Sequence, residues 1–87
     1  MKGYKKDLWG IKDEVWNALL LKKETIRYHS HVSMLSPHEE EREHFRNLAN
    51  QEAAEFKLMV HEAAKLAGLP ESLEHSISFQ VSKVVGF

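Results

Sequence analysis

Apolar residues recur along this chain at the spacing of α-helices. Leu8, Ile11, Val15, Trp16, Leu19, Leu20 and Ile26 return every three or four residues, which predicts a first helix over 7–33 with one buried face. Gly10 weakens its first turn. Lys12, Asp13, Asn17, Lys22 and Lys23 fall mostly off the stripe. Ser36-Pro37-His38-Glu39 reads as a helix start, with Ser36 as cap, Pro37 at the first helical position and Glu39 reaching back to complete a capping box. A second helix over 37–67 follows, its apolar face made by Phe45, Leu48, Ala49, Ala53, Phe56, Met59, Val60 and Ala63. Gly68 suits its left-handed C-terminal cap, and Pro70 lies just beyond. Leu73, Ile77, Val81, Val84 and Val85 then predict a short third helix over 71–85, although Ser76, Ser78, Phe79, Val81 and Val84 also suit a strand. The first two helices are joined by a very short turn, so they should lie antiparallel. The expected fold is all-α: a single domain over 1–87 built as an antiparallel two-helix hairpin plus a short C-terminal helix.

Size changes the picture. A monomer of 87 residues buries little surface and is marginal. With no cysteine, no disulfide can help. An apolar fraction of 43% in so short a chain therefore reads as burial against another subunit, in a homodimer or higher oligomer. A net charge of -1, with both signs interspersed, leaves no electrostatic footprint for nucleic acid. No window has the length of a membrane span. Residues 1–6 are basic but no apolar run follows, so no signal peptide is expected. The expected setting is a reducing, cytoplasmic one. Nothing in the sequence resembles a nucleophile triad or a Gly-rich phosphate loop.

The candidate chemistry centres on Glu52, which falls inside the apolar face of the second helix. A lone ionised carboxylate there would cost several kcal/mol, so something should compensate it, a metal ion among the candidates. Glu55 follows three residues on and shares its face, and two such carboxylates repel unless a cation or proton lies between them. Glu24 lies along one edge of the first helix's apolar face, with Tyr28 and His31 four and seven residues further on. At about 1.5 Å per residue, Glu24 and Glu52 come out about 7 Å from level, a gap that flexible Glu arms around a metal can span. A second candidate site is His31, Glu41 and His44 near the turn. Against it, Glu39, Glu40, Glu41 and Glu43 also suit the helix N-terminal dipole as a solvated face. His29 and His31 lie two apart, so at most one joins a given site. His61 and His75 read as surface residues without partners. Trp9 and Trp16, seven apart, suggest core or dimer interface.

Glu24-Thr25-Ile26-Arg27-Tyr28, followed by Phe45-Arg46-Asn47-Leu48-Ala49-Asn50-Gln51-Glu52-Ala53-Ala54-Glu55, resembles the ferritin-like superfamily, rubrerythrins especially. The likeness covers about residues 16–68. Chain length and the short element after Pro70 are similar to the encapsulated ferritins. In those, a two-helix hairpin dimerises to complete a four-helix bundle with a di-iron site across the two-fold axis. The resemblance implies that Glu24, Glu52 and Glu55 from both subunits bind and oxidise Fe(II), as in a ferroxidase. Apart from the resemblance, the position of Tyr28 near Glu24 suits a hydrogen-bond donor to a ligand carboxylate or ordinary partly buried packing, and His31 counts as a further metal ligand. The resemblance also implies an encapsulin shell as partner and compartment, with Val81-Ser82-Lys83-Val84-Val85-Gly86-Phe87 loosely resembling a targeting tail. Where the family has His, this chain has Glu55, an all-oxygen set that also suits manganese. The alternative is a metal-free helical dimerisation or adaptor module, in which Glu52 is satisfied by Lys, Arg or His across the interface, Arg27 being an available partner.

Overall fold

The structure is a computed structural model that describes residues 8–86. The basic residues 1–6, the helix start at Asp7 and the terminal Phe87 lie outside the described residues. Within them the chain is all-helical: α1 (Asp13–Leu35), α2 (Glu39–Leu66) and α3 (Glu74–Val85), with short 3-10 turns at Leu8–Gly10 and Glu71–Leu73.

The helix predicted from residue 7 begins only at Asp13. Trp9 and Gly10 both take positive φ, 56° and 76°, so the α-helical path is broken there. That conformation costs a non-glycine residue about 1–2 kcal/mol. In exchange the turn lays the Trp9 indole 6.2 Å from the ring of Trp16, which is fully buried. The tryptophan pair therefore belongs to the chain's own core.

The turn between α1 and α2 also departs from the expected capping box. Ser36 closes α1 instead of opening α2: its backbone N–H and its hydroxyl both donate to the Val32 carbonyl, at 2.9 and 2.8 Å. Pro37 holds the preceding residue extended, and His38 is the N-cap of α2, without a side-chain cap bond. Arg42, one turn into α2, donates to the Ser36 carbonyl at 2.9 Å and so ties the two helix ends together. Glu39, Glu40 and Glu41 occupy the first turn of α2, where their charge complements the dipole.

At its other end α2 stops as its sequence predicts. Gly68 has φ +71°. Its N–H donates to Lys65 O, and that of Leu69 to Ala64 O, the paired bonds of a Schellman motif. Pro70 and the Glu71–Leu73 turn then fold α3 back along the hairpin. Its C-terminal Gly86 comes up beside Arg27, Ser30, His31 and Met34.

The core sits at the end of the hairpin away from the α1–α2 turn. Trp16, Leu19, Leu20 and Ile26 of α1 meet Phe56, Val60, Ala63 and Ala64 of α2, with Ile77 and Val81 of α3 as the lid and Ile11 at the edge. Towards the turn only Ser33 and Ala49 are buried. α3 covers one flank of the hairpin. The opposite flank holds an open groove of about 360 Å³, lined by Val15, Ala18, Leu19, Leu58, Met59 and Leu66 among others.

Replacing Gly68 by Ala should destabilise the domain by about 1 kcal/mol. Nothing lies within 4 Å of the added Cβ, so the cost is purely the positive φ. Urea unfolding of the two proteins measures it, and Gly68→Asn should cost less.

Candidate functional site

Glu52 is the polar residue the apolar seam must accommodate, and the structure does so within one chain. His29 Nδ1–H donates to Glu52 Oε1 at 2.6 Å, with both side chains largely buried at 18% and 17% exposure. The imidazole is held from its other side by Phe45, whose ring lies 5.7 Å away. One turn on, Glu55 takes the ammonium of Lys22 at 2.5 Å in a more exposed setting. The two carboxylates thus share a helix face, each reaching a separate basic side chain on α1.

These contacts define which side of α1 faces α2. Val15, Leu19, Lys22, Ile26, His29 and Ser33 follow one another at helical spacing along it. Glu24 lies two residues from both Lys22 and Ile26, so it stands on the far side of the helix. It is exposed, and with Arg27, Tyr28 and His31 it lines a shallow concavity on the outer face of α1. Tyr28 is 64% exposed. Glu24, Tyr28 and His31 do share one edge, as their spacing predicts, but within the chain that edge looks away from Glu52 and Glu55. Arg27 faces outward with them, one residue past the α2-facing Ile26. The side chain that meets Glu52 in place of Arg27 is that of His29.

His31, Glu41 and His44 are all exposed, and the His44 ring packs edge-on against Phe45 at 5.1 Å. Among the described residues they do not converge as a ligand set. Among the described residues, the one group of three His or acidic side chains whose donor atoms do converge is His61, Glu71 and Glu74. His61 is therefore not the partnerless surface residue its sequence position suggests: its Nδ1–H donates to Glu74 Oε2 at 2.6 Å. The pairing follows from α3 folding back on α2, which no spacing within either helix announces. Elsewhere the Lys23 ammonium lies 5.0 Å from the centre of the Phe56 ring, and burial lowers its pKa.

Compared with known proteins, the chain matches no family model, no curated protein and no solved structure. No helix among the described residues is long and apolar enough to cross a membrane.

The two inter-helix pairs should differ in strength. A double-mutant cycle on His29 and Glu52 should give a coupling of about 1–2 kcal/mol in unfolding free energy, because the bond is largely shielded from water. The same cycle on Lys22 and Glu55 should give about 0.5 kcal/mol or less, as expected of an exposed pair.

Proposed function

We propose that this chain is a helical dimerisation module, one half of a four-helix bundle completed by a second copy. The observation that carries this reading is a second apolar stripe on α1. Ala18, Leu21, Thr25, Tyr28, Val32 and Leu35 alternate at three and four residues, the heptad spacing of a helix–helix seam. None of them belongs to the chain's own buried core, and Leu21, Tyr28 and Leu35 are 68%, 64% and 76% exposed. The stripe borders the open groove, where Leu58 and Leu66 of α2 add further exposed apolar surface at 67% and 78%. A chain this small gains most from covering such surface, and a two-fold pairing covers it on both copies at once. Glu52 and Glu55 are already paired within the chain, so the seam requires no ion.

A second reading, a carboxylate site that binds and oxidises Fe(II), draws support from Glu24. Glu24 flanks the α1 stripe beside Thr25, so pairing through the stripe would bring a Glu24 from each copy to the interface. The His29–Glu52 couple adds an imidazole and a carboxylate on each hairpin. Iron, with manganese as the alternative, is the metal this oxygen-rich set suits. Under that reading Glu24, Glu52 and Glu55 are the ligands, and Tyr28 and His31 stand beside Glu24. An encapsulin shell remains part of the same proposal.

Sedimentation equilibrium should return twice the chain mass. Leu21→Glu combined with Tyr28→Glu should give a monomer with unchanged helical circular dichroism. A monomeric parent chain, or a dimer indifferent to both substitutions, would sink the seam. For the second reading, anaerobic Fe(II) titration of metal-stripped protein should show about one tight iron per chain, lost in Glu24→Gln and in Glu52→Gln. Absence of tight iron in an intact dimer leaves the metal-free module standing.

A further inference from the structure

The His61, Glu71 and Glu74 group shares no residue with that proposed interface. His61 projects from α2, Glu71 from the 3-10 turn that follows Pro70, and Glu74 from the first turn of α3. One donor atom from each lies within 4.8 Å of the others. His61 is half-exposed, Glu74 more covered and Glu71 exposed, so solvent and ions reach the group from one side.

We propose that these three side chains form a site for one divalent transition-metal ion of the zinc type, which clamps the start of α3 onto α2. The donor set is one imidazole nitrogen and two carboxylate oxygens. Zinc takes such mixed ligands readily, whereas magnesium and calcium prefer oxygen alone. Three protein ligands leave one tetrahedral position for water, which suits a site open on one side. Ligand atoms around a tetrahedral zinc stand about 3.3 Å apart, given bonds of about 2.0–2.1 Å. His61 Nδ1 and Glu74 Oε2 are closer than that, at 2.6 Å, because a proton lies between them. An ion would replace that proton, and the pair would open slightly. Glu71 closes the remaining gap with an exposed side chain that has room to turn. Pro70 and the bond from Leu73 N–H to Pro70 O at 3.0 Å fix the backbone from which Glu71 and Glu74 project on one face.

The location gives the ion a mechanical role. α3 is the lid of the core through Ile77 and Val81. The ion would cross-link the two elements joined by the 67–73 connection, and it would hold the lid shut. Binding to the folded chain alone would raise its stability with metal concentration.

Titrating metal-free protein with Zn2+ in a calorimeter should show one saturable ion per chain. Affinity should fall at least tenfold in His61→Ala and in Glu74→Gln, and remain unchanged in His38→Ala and in Glu40→Gln, two exposed residues at the far end of α2. The His38 and Glu40 controls separate this site from adventitious binding by exposed histidines and carboxylates, the chain having 6 His. A readout on the parent chain guards against variants that unfold. Co2+ in place of Zn2+ should broaden the NMR signals of His61 and of residues 71–75 before those of His29, His31, His38 or His44. No saturable Zn2+ binding would overturn the proposal. So would affinity indifferent to both His61 and Glu74, or Co2+ broadening centred on another histidine.

Discussion

The fold depends on the sealing of one end of a hairpin by α3. Two antiparallel helices expose most of what they carry, and in a chain this short the seam between α1 and α2 cannot by itself enclose Trp16, Leu20 or Val60. Ile77 and Val81, both without measurable exposure, supply the third wall. Burying an aliphatic side chain of this size contributes about 1.5–3 kcal/mol, a large share of the net stability of a small domain. The Schellman cap at Gly68 and the rigid step at Pro70 matter because they aim α3 back onto that opening.

Away from the core, the turn half of the hairpin is thin. Here α1 and α2 are held by directional contacts instead of apolar volume: Arg42 on the Ser36 carbonyl, and the tilted ring pair of His29 and Phe45 beside Glu52. The half-buried His29–Glu52 bond lies where the apolar core gives way to this polar section. It fixes the helix register more sharply than interchangeable aliphatic contacts do, since a one-residue slip would leave both groups desolvated and unmatched. The same logic applies at the other end, where His61 and Glu74 mark the height at which α3 meets α2.

α1 is asked to face two ways. One side packs on α2 and α3, while a heptad stripe on its outer side stays out of the core among the described residues. That explains why apolar periodicity in this helix looks less clean than in α2. A helix apolar on two sides is a helix between two neighbours. α2 and α3 cover one of those sides, and the proposed second copy would cover the other.

Periodicity was sufficient to place the first two helices and most of the core, because burial of a face leaves its mark at every third or fourth residue; the short turn gave the hairpin, Gly68 and Pro70 the cap, and the third helix was legible only beside a strand alternative. Periodicity was also sufficient to single out Glu52 as a carboxylate in need of a counterpart. It could not name that counterpart. His29 and Glu52 are joined by the register between two helices, and register depends on how the turn at Ser36–His38 is built. There the capping signal was misleading, since Ser36 served the helix behind it. It could not show that Glu24 faces away from Glu52, nor that His61 meets Glu74, because rotation about a helix axis and the return of α3 arise only when the whole chain packs. Local pattern determines which residues must be buried; tertiary packing decides which polar residues are buried beside one another.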